Sequence, residues 1–187
     1  IERELKALAA SAEAELDQPR PCLTPHDLNL FRFRWQTLVD ELQGQSIEQS
    51  IARHSQMIAR ALDWLAALGE ARIELPAADR VDADAVRNYA NRLPLLAEYL
   101  GQARAVGSGV AACGACTPVA RVRLMFLVSR SESLLKQAMQ VVGDRQAQTA
   151  AQAVAALTGA VRQKLLAERA AGITAELYFA TATEAID

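Results

Sequence analysis

Between Val86 and Val110 the apolar and small residues fall at Val86, Tyr89, Leu93, Leu96, Leu100, Ala103, Gly107 and Val110, in steps that alternate between three and four. That spacing holds one seam of an α-helix against a neighbour, and a strand, with its period of two, cannot produce it. The run CGACTP at 113–118 then breaks the pattern. Thr117 is a good N-cap, and Pro118 suits the first turn of a helix, where a missing N–H costs nothing. A second helix follows, with Val119, Val122, Phe126 and Leu127 on its apolar side. A corner this short forces the two helices to lie antiparallel. Similar hairpins packed on this one predict an all-α fold: an antiparallel up-down bundle of about six helices.

The rest of the chain carries the same period. Residues 1–17 have a stripe of Ile1, Leu5, Leu8, Ala12 and Leu16, and Pro19 and Pro21 end it. Thr24, Pro25 and Asp27 start the next helix, with Leu28, Phe31, Trp35, Leu38 and Leu42 in register until Gly44. Ser46 and Gln49 form a capping box for a third helix, whose stripe is Ile47, Ile51, His54, Ile58, Leu62, Leu65 and Leu68, ending near Gly69. Residues 71–82 read as a loop around Pro76. Pro94 interrupts a helix whose spacing passes through it unbroken, so one kinked helix is expected. Gly143 ends the second half of the central hairpin. A helix capped by Asp144 runs to about Ala171, with Val154, Leu157, Val161 and Leu165 in register. After Gly172 a last helix carries Leu177, Phe179 and Ile186.

With 187 residues the chain can bury a real core, and a single helical-bundle domain over 1–187 is the expected organisation. It is 51% hydrophobic but only 5% aromatic, an Ala-dominated mixture that suits thin, closely packed helices. A net charge of -2 argues against a nucleic-acid-binding surface as its main purpose. No apolar run approaches the ~20 residues that span a bilayer. The chain begins at Ile1 without a Met, and its first and last helices stop in mid-pattern. Both ends are therefore expected to be truncated next to membrane spans, as in a sensor domain taken out of a membrane protein.

Catalytic signatures are absent: no Gly-rich phosphate loop, no nucleophile elbow, no metal-spaced cluster. The expectation is a non-enzymatic chain without cofactor or metal. Cys22, Cys113 and Cys116 leave the compartment open. Cys113 and Cys116 could close a disulfide across the corner, stand there incidentally, or serve a redox or metal role. A c-type haem would need His where Thr117 stands.

Four residues are candidates for ligand binding: His54, Tyr89, Arg92 and Arg104. His54 lies on an apolar stripe, as a core histidine bonded to a neighbour or as a ligand or proton sensor. Arg92 follows Tyr89 by three residues. Arg104 follows the seam residue Ala103 and lies between Gly101 and Gly107, where small residues leave room. A guanidinium there could grip a carboxylate, nitrate or other small anion with two N–H donors, unless Glu98 pairs with it. Trp35 and Trp64 read as core anchors.

Three segments resemble one family. They are SIEQSIARHSQMIARALDWLAAL at 46–68, NYANRLPLLAEYLGQARAVGSGVAA at 88–112 and LYFATATEAID at 177–187. Together they resemble the all-helical extracytoplasmic sensory domain of bacterial methyl-accepting chemotaxis receptors, also attached to sensor kinases and diguanylate cyclases. The CGAC corner lies outside that pattern, so no family role passes to Cys113 or Cys116. The resemblance implies a periplasmic sensory domain of an inner-membrane receptor in chemotaxis or another signalling pathway. Such a domain would act as a homodimer, bind a small anionic or polar molecule, and pass a helix shift through the flanking membrane segments. Two alternatives come from other classes: a cytosolic helical scaffold for partner helices, and a thiol-based redox or metal sensor built on the CxxC pair.

Overall fold

The computed structural model describes residues 24–74, 82–141, 144–166 and 173–186. Within them the fold is all-α, as the periodicity predicts, with six helices and no strand. The chain divides into two compact units, Ile1–Arg80 and Val81–Asp187.

In the first unit, α1 (Pro25–Asp40) and α2 (Ile47–Ile73) are joined through a 3-10 turn at Leu42–Gly44. Their starts follow the local chemistry. Thr24 Oγ1 accepts from the Asp27 N–H while the Asp27 carboxylate accepts from the Thr24 N–H, and Ser46 and Gln49 do the same for α2. Gly69 does not end α2: it is buried inside the helix, which runs four residues further. Trp64 is the centre of the small core, with Leu28, Phe31 and Leu68 against it. The expected stripe on α2 is therefore rotated. Ile47, Ile58 and Leu65 are exposed, because the large Trp64 ring takes the contact with α1 and turns those positions away.

The second unit begins with α3, one continuous helix made of Ala83–Arg87, a π turn at Asn88–Arg92 and Leu93–Cys113. Pro94 accounts for the π turn. It lacks the N–H that would bond the Ala90 carbonyl, and its ring would crowd that carbonyl in a regular helix. The wider turn, in which the Leu93 N–H reaches the Asn88 carbonyl, relieves both problems. The seam then buries Leu96, Leu100, Ala103, Gly107 and Val110, as the spacing predicts, but not Tyr89, which is exposed because the π turn shifts the register and buries Asn88 instead. Gly114, at φ 64°, ends the helix in the left-handed conformation that glycine adopts without strain. Thr117 caps α4 (Pro118–Ala138), accepting from the Ala120 N–H at 3.1 Å.

Two of the expected faces are corrected here. On α4 the buried residues are Leu124, Leu127, Val128, Ser131, Leu134, Leu135 and Ala138, while Val119, Val122 and Phe126 are exposed. The Leu and Val run at 124–128 outweighs the earlier residues and sets the inward face. Next comes α5, Asp144–Ala160 continued by a π turn at Val161–Leu165, with Val154, Leu157, Val161 and Leu165 buried. The last helix, α6 (Ala175–Glu184), buries Tyr178 and Ala182 rather than Leu177 and Phe179. The expected stripe at 1–17, the Pro76 loop, Cys22, Gly143 and the end of α5 beyond Leu166 lie outside the described residues.

The reversal on α6 has a specific cause in α3. A Cβ built on Gly107 would stand 2.3 Å from the Tyr178 ring, so only glycine admits that ring. Tyr178 is fully buried there, and its hydroxyl donates to the Ala103 carbonyl at 2.8 Å. Burial pushes the phenol above its ordinary range and keeps the donor protonated. Helix ends in this unit are tied by side chains: Asn88 Nδ2 donates to the Ala138 carbonyl, and Arg121 Nη1 to the Leu166 carbonyl at 2.6 Å. Arg162 of α5 grips Glu132 of α4 with two parallel bonds of 2.7 Å.

Candidate ligand-binding site

The first unit contains a groove of about 420 Å³ between α1 and α2. From α1 it is lined by Asp27, Leu30, Phe31, Phe33, Arg34, Thr37 and Leu38, and from α2 by Arg53, Gln56, Met57, Arg60 and Trp64. On α2 the spacing 53, 56, 57, 60, 64 is one helical face, so the groove is a stripe rather than an accident of loops.

Its floor is aromatic. Phe31 and Trp64 lie with ring centroids 5.2 Å apart at 52°, a tilted pair within the favourable range. The Arg60 guanidinium sits 5.6 Å from the Trp64 ring centre, in a cation–π arrangement. Its walls are cationic, with three guanidiniums and one carboxylate among the described lining residues.

That carboxylate does little to neutralise them. Asp27 Oδ2 accepts from the Thr24 N–H at 3.2 Å and from its hydroxyl at 2.6 Å. These bonds, the side-chain one first, hold the Asp27 carboxyl below its ordinary value. Arg60 reaches Asp27 Oδ1 only at 3.7 Å, beyond hydrogen-bond range. Arg53 pairs with Glu41. Arg34 makes no hydrogen bond or ion pair among the described residues. A planar guanidinium with unused parallel N–H donors matches a planar carboxylate or oxyanion.

The four residues picked from the sequence are placed differently. His54 is half-buried on α2 and does not line the groove, although Arg53 beside it does. Its Nδ1 lies 2.8 Å from the Ser50 carbonyl, which can only accept, so Nδ1 carries the proton. Trp35 meets the imidazole edge-on at 6.2 Å. Tyr89, Arg92 and Arg104 belong to the second unit. Tyr89 is exposed and lines a largely apolar groove of about 690 Å³ between α3, α5 and α6, of which Arg92 and Arg104 are not part. Arg92 faces Asp84 at 3.8 Å. Arg104 Nη1 donates to Thr183 Oγ1 at 3.2 Å, and its guanidinium lies over the Phe179 ring at 4.8 Å. Glu98 accepts instead from Gln102 Nε2 at 2.7 Å.

Cys113 and Cys116 are free thiols. No group of three or more metal-ligating side chains occurs among the described residues. Within the same residues no helix is long and apolar enough to cross a membrane.

Sequence reasoning missed Arg34, Arg53 and Arg60 as a set. The signal was present: Arg53, Met57, Arg60 and Trp64 recur at steps of four, three and four on one helical face.

An all-helical chain with a cationic, aromatic-floored groove in a helical hairpin defines the class, an α-helical domain suited to holding a small ligand between helices. The chain belongs to the NIT family, nitrate and nitrite sensing, whose family model matches residues 2–187. This is a family of extracytoplasmic sensory domains of signalling proteins. No curated protein and no solved structure matches the chain.

Proposed function

We propose that this chain is the ligand-binding domain of a membrane-spanning signalling receptor, and that it senses a small planar oxyanion, nitrate or nitrite, held by Arg34, Arg53 and Arg60. The observation that supports this most is the charge imbalance of the α1–α2 groove, where the one lining carboxylate is committed to capping α1. An anion bound between the two helices favours whichever helix arrangement brings the guanidiniums together. Its differential affinity for the two arrangements sets the size of the signal. Such interface shifts are an ångström or two. A homodimer, with membrane spans beyond the chain ends, would carry the shift to an output module of a chemotaxis receptor or sensor kinase.

Isothermal titration with nitrate and nitrite, against chloride at matched ionic strength, tests the reading. Binding should appear for the oxyanions, raise the melting temperature by mass action, and fall at least tenfold in Arg34→Ala, the scale of one charged hydrogen bond.

A second reading places the ligand on the second unit, at Arg104. One observation favours it: with Glu98 held by Gln102, Arg104 has no carboxylate partner among the described residues and uses one N–H on Thr183. Nitrate binding that survives Arg34→Ala but not Arg104→Ala would select this reading over the first.

A further inference from the structure

The groove offers more than an inorganic oxyanion can use. Nitrate is four atoms, whereas about 420 Å³ lies within the ~300–1,000 Å³ of sites that hold organic ligands. Aromatic side chains make up much of that surplus. Phe31 and Trp64 form the floor, and Phe33, on the rim, leaves 69% of its surface in water. An exposed phenyl ring beside the Arg34 guanidinium, which is unpaired among the described residues, presents an apolar surface and a cation on adjoining residues. Met57 adds an adaptable apolar wall that accommodates ligands of different outline.

We infer that this groove also binds a flat organic monocarboxylate, an aromatic acid whose carboxylate takes the guanidinium position of the oxyanion and whose ring lies against Phe33 and the Phe31–Trp64 floor. The inference rests on the anion-sensing reading of the same groove and adds the ligand class. The carboxylate supplies the planar acceptor edge that a guanidinium fork fits. The ring gains from leaving water and from offset contact with the aromatic floor. Nitrate and such an acid then compete for Arg34, and occupancy reports their ratio.

The experiment is isothermal titration of the intact chain with benzoate, acetate and nitrate at one ionic strength, repeated with Phe33→Ala and Arg34→Ala. Phe33 is exposed, so its replacement leaves the fold intact, which an unchanged melting temperature without ligand confirms. Benzoate is expected to bind roughly tenfold or more tighter than acetate, the scale of covering one face of a phenyl ring. Phe33→Ala should weaken benzoate roughly three- to tenfold, and nitrate by a clearly smaller factor. Arg34→Ala should weaken both, and saturating benzoate should displace nitrate. If nitrate binds through Arg34 but benzoate binds no better than acetate, or ignores Phe33→Ala, the inference fails and the oxyanion reading stands. If benzoate binds through Phe33 and Arg34 but nitrate does not bind at all, the oxyanion reading fails and the groove is a site for organic acids. If none of the three binds, both readings fall.

Discussion

The two units use their helices in opposite ways. In the second, side chains from four helices meet in one core, where Leu124, Val161, Leu165 and Tyr178 are wholly buried. In the first, only Leu38 and Trp64 are buried hydrophobics among the described residues, and much of the facing surface of α1 and α2 lines a groove with charged walls. A close-packed core tolerates little change in volume, whereas a hairpin with a groove gains stability when something fills it. The contrast places the close-packed core in the second unit, while the proposed function places the ligand response in the first.

The sharpest way to break this division is to place a charge in the second unit. Leu127→Asp, at 1% exposure, and Leu96→Asp should each cost several kcal/mol, comparable with the whole ~5–15 kcal/mol stability of a domain. Urea unfolding followed by circular dichroism measures this, and a parent-like curve would place those residues outside the core. Arg34→Ala, by contrast, should change unliganded stability by less than about 0.5 kcal/mol.

Next in size is Gly107→Ala. On an ordinary helix this change stabilises by about 1 kcal/mol. Here the new Cβ overlaps the Tyr178 ring, and a loss of about 1–3 kcal/mol is expected. Pairing it with Tyr178→Leu in a double-mutant cycle should recover part of that loss. A stabilised single variant would mean that the ring is not seated against Gly107. Tyr178→Phe alone removes one neutral hydrogen bond and should cost about 0.5–1.5 kcal/mol.

The smallest effect concerns pH and belongs to the first unit. The folded Asp27 carboxyl titrates below its unfolded value of 3.8. Its contribution to stability is therefore fully present above that value and is lost as the pH falls through the lower, folded one. Protonation over the same window also removes the negative charge from the groove wall. Melting temperature should slip while nitrate affinity rises as the pH is lowered from about 4 towards about 2, read at each pH by titration. Affinity that falls in step with stability would separate Asp27 from the site.

What could be read from the sequence was local. The caps at Thr24, Ser46 and Thr117, the corner at Gly114 and the seam from Leu96 to Val110 depend on residues a few positions apart, and all stand as expected. The inward faces of α2, α4 and α6 were harder. Alanine-rich helices have weakly marked sides, so the choice falls to partners distant in sequence, such as Gly107 for Tyr178, 71 positions on. The groove was hidden for a related reason. Arginine on a helix is ordinarily a solvated side chain, and only the pairing of α1 with α2 brings Arg34 alongside Arg53 and Arg60.

The seating of Tyr178 limits how α6 can move. One helical turn either way along α3, the seam carries Ala103 and Val110, both with a Cβ where Gly107 has none. The ring therefore has one berth and no second position to click into, which rules out a ratchet of the last helix along its neighbour. What remains is tilt and rotation about a fixed point, with the Arg104–Thr183 contact on the far side of that point from the start of α6. In mechanical terms α6 is a lever with its fulcrum at Gly107. A small displacement at one end is delivered at the other in proportion to the arm lengths, not in steps of a helical pitch.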